Sequence, residues 1–253
     1  MLARNLFTEK EIPYEKFEKM GITRDDFLLM PKEVLGPLIN GRVTPLIQGH
    51  FIAENGKAID LPMKIQLARD SQNRVQLYTY PMRKEVENSL HLTPSELERV
   101  KNGDVIRKEV KDVDGIRRQK YLQMDPETKS LIRRDVAALQ VREQLREFEK
   151  VKDIELGANQ KQAAVEGKPV ELTVGDQKVS VGLDLREPQG FKIVNGDMEE
   201  WKRQMEYRYD DAHEGFMGYV KTDENRWEYQ MIVDRLSHRE EKKEEKRSSG
   251  LKL

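Results

Sequence analysis

The sequence predicts an α+β fold of three small helix–three-strand antiparallel units in tandem, with an N-terminal helical hairpin and connecting helices. Three observations predict it. A glycine placed to stop a short helix recurs at Gly41, Gly103 and Gly167, 62 and 64 residues apart. Three strand-like segments separated by turn signals follow each of these glycines. The middle strand of each set ends with one polar residue between two apolar ones: Ile65-Gln66-Leu67, Leu122-Gln123-Met124 and Leu183-Asp184-Leu185.

Residues 1–30 form the N-terminal helical element. A helix with Pro13 near its start and Gly21 at its stop places Tyr14, Phe17 and Met20 on one face. Thr23 then caps a second short helix through Phe27 and Leu28. Such a hairpin either docks a partner or covers one face of the first sheet. The first unit spans 31–90, with strands at 43–53, 61–67 and 74–80, and Asn55-Gly56 as the first hairpin turn. Gly36-Pro37 is expected to interrupt its helix.

The second unit, 91–136, carries the clearest signals. Thr93, Pro94 and Glu96 form an N-cap, a first-turn proline and a capping box. Gly103 ends that helix, and strands follow at 105–111, 116–124 and 129–134. Their turns are Asp112-Val113-Asp114-Gly115 and Asp125-Pro126-Glu127-Thr128. A connecting helix spans 137–156 within an amphipathic stretch carrying Leu139, Leu145, Phe148 and Val151. The third unit spans 157–196, with a helix at 160–165 and strands at 170–174, 178–185 and 191–194. Residues 197–237 read as a helix to Tyr209 and a hairpin, and 238–253 as a charged, disordered tail.

The composition bounds the function. There are no cysteines, so disulfides and thiolate metal sites are excluded. Charged residues make up 36% and mean hydropathy is −0.80, a polar balance that fits small units with modest cores. No stretch approaches the roughly 20 apolar residues of a membrane span. The expectation is a cytoplasmic protein without membrane contact.

Phosphate-loop and dinucleotide-loop patterns are absent, and His50, His91, His213 and His238 are dispersed. The acidic clusters Asp210-Asp211 and Asp197/Glu199/Glu200 read as solvated faces. No enzyme activity, cofactor or metal is therefore expected. Nucleic-acid binding is weighed on the second unit, where Arg107, Lys108, Lys111, Arg117, Arg118, Lys120, Lys129, Arg133 and Arg134 sit on adjacent strands. Alternation would put Arg117, Gln119, Tyr121 and Gln123 on one face, able to grip a phosphate backbone and stack a base. Seven acidic residues lie among those nine basic ones, a net +2 over 104–135, so cross-strand ion pairs are the other reading. Residues 195–237 carry six basic and eleven acidic residues, a net −5, and contain Trp201 and Trp227 as candidate partner-binding side chains.

Several segments carry a family resemblance. They are Leu92-Thr93-Pro94 followed by the Gly103 turn, Lys120 through Lys129, Gly167-Lys168-Pro169-Val170-Glu171-Leu172, Gly182 through Phe191, and Ile12-Pro13-Tyr14 through Gly21. Together, over residues 12–236, they resemble uncharacterised domain families of conjugative and mobilisable elements of Bacteroidota, sometimes appended to type IA topoisomerases. The resemblance implies a non-catalytic accessory module that binds DNA or a DNA-processing protein such as a topoisomerase or relaxase. It supplies no catalytic residues to carry over. The alternative is a protein–protein adaptor without nucleic-acid contact.

Overall fold

The structure, a computed structural model, describes residues 6–52, 56, 58–111, 115–205 and, for their backbone, the strands 216–221 and 227–232. After a short 3-10 turn at Glu9–Glu11, the chain forms α1 (Tyr14–Glu18) and α2 (Arg24–Leu28). The first unit is α3 (Lys32–Ile39), β1 (Ile47–Ile52), β2 (Ala58–Arg69) and β3 (Val75–Pro81). The second is α4 (Pro94–Lys101), β4 (Ile106–Lys111), β5 (Arg117–Met124) and β6 (Leu131–Asp135). Helices α5 (Val136–Leu139) and α6 (Val141–Lys152) connect it to the third. That unit is α7 (Ala158–Val165), β7 (Val170–Val174), β8 (Gln177–Leu183) and β9 (Phe191–Asn195). Helix α8 (Met198–Met205) and the antiparallel hairpin β10 (Phe216–Lys221) and β11 (Trp227–Ile232) complete the described chain. Each unit is a separate antiparallel three-stranded meander with its second strand in the centre. The fold is α+β, as the glycine and turn pattern predicts.

The three marker glycines have one setting. Each has positive φ: +72° at Gly41, +87° at Gly103 and +90° at Gly167. Each donates its N–H three residues back, to Leu38, Val100 and Ala164 respectively. The next residue donates five back, from Arg42 to Pro37, Asp104 to Arg99 and Lys168 to Ala163. These bonds satisfy the orphan carbonyls of the helix end, in a conformation that glycine adopts without strain. Each glycine thus sits between a helix end and a first strand.

The repeat has a second mark, in a different register from the apolar–polar–apolar triplets. The turn between second and third strands opens on Asp70, Asp125 and Asp184. The backbone N–H of each donates across the turn, to Arg74, Ser130 and Gly190. Each carboxylate also accepts N–H bonds within its own turn, from Gln72 and Arg74, from Thr128, and from Arg186. The equivalent residues are therefore Leu67–Asp70, Leu122–Asp125 and Val181–Asp184. Gln66 and Gln123, aligned by the triplets, are four and two residues before their turn aspartates.

Other expectations need correction. Helix α3 passes through Pro37 without a break. The carbonyl that the proline leaves unpaired belongs to Glu33, on an exposed first turn where water can reach it. The connector is broken at Gln140, whose φ of +47° ends α5 and starts α6. Val151 is not part of the buried stripe. Val141, Leu145 and Phe148 are buried while Val151 is 78% exposed, because the 4-3-4 spacing next selects position 152. The Asn55 and Asp112–Asp114 turn positions, residues 206–209 of the expected helix, the hairpin loop and the charged tail lie outside the described residues.

The N-terminal element covers the first sheet. Phe17, Met20, Ile22 and Phe27 pack with Leu38 on Met63, Ile65 and Leu67. Helix α4 covers one face of the second sheet through Val100, Ile106, Val110 and Leu122. The largest cluster joins the opposite face, through Tyr121 and Ile132, to Leu145 and Phe148 of α6 and to Val179, Val181 and Leu183 of β8. Among the described residues no helix is long and apolar enough to cross a membrane.

All three units touch. The Gln66 amide donates to the Gly41 carbonyl at 3.0 Å and to the Leu185 carbonyl at 3.1 Å. The Leu185 N–H donates to Gln123 Oε1 at 2.7 Å. One residue of the third unit is thereby read by the first unit at its carbonyl and by the second at its amide.

Candidate functional site

The basic residues expected to line a nucleic-acid face are dispersed. Arg107, Lys111 and Arg117 are exposed, with Arg117 paired to Glu109 at 3.0 Å. Lys108 bonds Glu96 at 2.6 Å and the His91 carbonyl at 3.2 Å. Arg118 is half-buried, and half-buried Arg133 meets Glu87 at 3.3 Å. Lys120 is buried against Asp135 at 3.3 Å. Tyr121 is fully buried, and its hydroxyl donates to the Val165 carbonyl at 2.6 Å. Tyr121 and Lys120 therefore cannot stack or grip a nucleic acid, and Arg134 is buried too. The cause is tertiary: the far half of β5 has α4 on one face and α6 with the third unit on the other.

Trp201 is also removed from the surface. It is buried, and its ring lies where a Cβ at Gly182 would fall, 2.9 Å away, so glycine there admits the indole onto β8. Trp227 starts β11, and its side chain lies outside the described residues.

Two concave sites lie at the junction. The first, about 230 Å³, is walled by charge. Lys64 Nζ bonds Asp125 and Glu127, each at 2.9 Å. Asp184 is held by Arg186 at 2.8 Å and Lys192 at 3.6 Å, and Arg42 faces Glu187 at 3.3 Å. Burial alone would push the Asp125 carboxyl up, but Lys64 and the Thr128 hydrogen bonds hold it below the usual range. Burial acts on Asp184 in the same way, and Arg186 and Lys192 override it. Burial pulls Lys64 down, and its two carboxylates raise it past the ordinary lysine value. Four cations and four anions satisfy one another here, so this cleft clamps the turns together.

The second site is a groove of about 640 Å³. One wall is α6, with Phe148 and Val151. Another is β9, with Phe191 and Ile193. The N-terminal segment closes it through Leu6 and Phe7, and Arg134 lies among its lining residues. Val151, Ile193 and Leu6 are 78%, 46% and 45% exposed, an apolar rim on a polar protein. Volume and lining fit a ligand site. Arg134 is 4% exposed. Its Nη2 donates to the Pro188 carbonyl at 3.1 Å, while Nε and Nη1 have no hydrogen-bond partner among the described residues. Burial pulls its pKa below the ordinary arginine value, against the pull of Tyr80, Tyr78 and Asp135.

Of the candidate binding residues named from the sequence, Arg134 is the one placed in this groove. The groove's apolar rim went unread. The available signal was Val151, an aliphatic residue one position off the buried stripe of α6.

Comparison with known proteins is sparse. A family model described as "Protein of unknown function (DUF4099)" matches residues 7–90, which hold the N-terminal helices and the first unit. No curated protein matches the chain, and no solved structure matches it.

Proposed function

We propose that the chain is a non-catalytic docking module of a mobile genetic element, and that it holds a DNA-processing protein in the groove over Arg134. The observation that carries this reading is the groove itself: an apolar-rimmed concavity of about 640 Å³ at the meeting of the N-terminal segment, the connector and the third unit. The mobile-element setting, with a topoisomerase or relaxase as partner, is supported by the resemblance of residues 12–236. A cytoplasmic setting is supported by the absence of cysteine.

The test is direct titration of the purified full chain with a purified relaxase and a purified type IA topoisomerase from a conjugative element of Bacteroidota. Saturable binding is expected, weakened at least tenfold by Ile193→Asp or Val151→Glu. Both positions are exposed, so thermal unfolding should change little. Absence of binding by either enzyme overturns the docking reading.

A second reading, direct DNA contact, is favoured by one observation. Arg107, Lys111 and Arg117 remain exposed on adjacent strands β4 and β5. On this reading the triple change to glutamate abolishes binding to single- or double-stranded DNA at low salt. The wild-type salt slope would be shallow, about −0.7 to −0.9 per phosphate contacted. Wild-type protein that binds neither form at low salt removes the DNA reading.

A further inference from the structure

We infer that the groove selects a carboxylate carried by an otherwise apolar protein segment, with Arg134 as the residue that recognises it. This inference rests on the docking reading above and adds the chemistry of the segment.

The argument begins at β6. Alternation along that strand turns Ile132 and Arg134 to the same side, the side facing the third unit and α6. A guanidinium there loses its hydration, which is costly unless donors and charge are matched. The protein matches them in part. Nη2 has the Pro188 carbonyl, and the nearby Asp135 carboxylate is taken by Lys120 at 3.3 Å and the Ser71 N–H at 3.3 Å. Among the described residues, Nε and Nη1 are left without a protein acceptor. Buried polar atoms in folded proteins are satisfied as a rule, so two orphaned donors on one buried cation call for an acceptor beyond those the described residues supply. The residue also lines the groove, through which such an acceptor can arrive.

The charge around it narrows the ligand. Arg69, the other arginine of the lining, is engaged by Glu11 at 2.7 Å. Glu143 and Glu147 lie on the α6 wall and are exposed, Glu147 bonded to Lys150 at 2.7 Å, and half-buried Lys152 stands on the same wall. With Arg69 taken by Glu11 and Glu147 by Lys150, Arg134 is the buried cation of the lining, and one carboxylate matches its single charge. The exposed apolar side chains Leu6, Val151 and Ile193 come from three separate elements. A segment of polypeptide can reach all three while placing one acidic side chain on Arg134. A small acid filling the floor would leave Val151 uncovered.

The experiment uses the full chain and a synthetic pool of acetylated, amidated pentapeptides. Four positions are apolar, and the central one is glutamate or glutamine. Affinity selection should enrich glutamate members roughly tenfold or more over their glutamine counterparts, the scale of a charge-assisted bond to a buried donor. Arg134→Gln should bring that ratio close to one. Arg134→Lys, which keeps the charge should the first variant fold poorly, should retain a reduced preference. Ile193→Asp should lower retention of both classes.

Equal retention of glutamate and glutamine members by the wild-type chain overturns the carboxylate assignment and leaves docking standing. Retention of neither class overturns docking in the groove itself. Displacement of the peptides by dodecanoate at lower concentration than any acidic peptide assigns the groove to a small carboxylic acid and overturns the peptide reading.

Discussion

Replacing Asp125 with alanine is expected to lower stability by about 3–5 kcal/mol, the scale for breaking a buried ion pair from one side. Asp125 is 1% exposed. It accepts Lys64 Nζ at 2.9 Å, the Thr128 N–H at 2.8 Å and the Thr128 hydroxyl at 2.9 Å. Its loss strands half the charge on Lys64, whose remaining partner is Glu127, and opens the turn that leads into β6. Lys64→Met made together with Asp125→Ala should cost less than the two changes added, because the second removes the charge that the first leaves uncompensated. Urea denaturation of the four proteins completes the cycle. Additive losses would show that the two residues are energetically independent.

The same carboxylate gives stability an acid limb. Asp125 and Asp184 titrate below the ordinary carboxylate range when folded, and Asp70 is lowered to about 2. A depressed folded pKa contributes stability above the unfolded value, about 3.9 for aspartate. That contribution is lost as pH falls through the folded values. Unfolding free energy should therefore be level between about pH 5 and pH 9 and decline between about pH 4 and pH 2. Asp125→Ala should have a shallower decline. Lys64, raised when folded, works with the opposite sign: its contribution is complete below the unfolded lysine value and fades above it.

Gly167→Ala is expected to cost about 2–5 kcal/mol, whereas Gly103→Ala should cost about 1–2 kcal/mol. The two glycines share a left-handed backbone and the same hydrogen bonds, so both pay for a Cβ in that region. They differ in what the Cβ meets. At Gly103 nothing lies within 4 Å, while at Gly167 the Val105 carbonyl oxygen would be 2.7 Å away. That oxygen belongs to the second unit's backbone and cannot swing aside as a side chain could. Denaturant midpoints at unchanged slope give the comparison. Equal losses would mean that the second and third units are not packed as closely as this contact requires.

The glycine caps were legible because positive φ selects a residue type, and the chain must write that selection into its sequence. The number of strands was legible for a similar reason, through turn residues such as Gly56, Gly115 and Gly175. What local pattern could not supply was the second coating of a strand. Lys120-Tyr121-Leu122-Gln123 alternates as a half-exposed strand would. In the structure the polar partners of these side chains are Asp135, the Val165 carbonyl and the Leu185 N–H, from other strands and another unit. A polar residue buried against a distant partner looks, in sequence, like one facing water. Arg134 illustrates both sides of this: it was singled out for its charge, and its place in the groove came from packing that no neighbouring residue announces.

Tandem repeat proteins commonly stack in a line, so each module leans only on the one before and the one after, and the outermost modules fray first. The Leu185 residue prevents that here, because the last repeat bonds back to the first as well as to the middle one. Among the three repeats there is consequently no free outer module to peel away. Heat or denaturant should melt them in one cooperative step, and damage to any single repeat should be felt across the whole assembly.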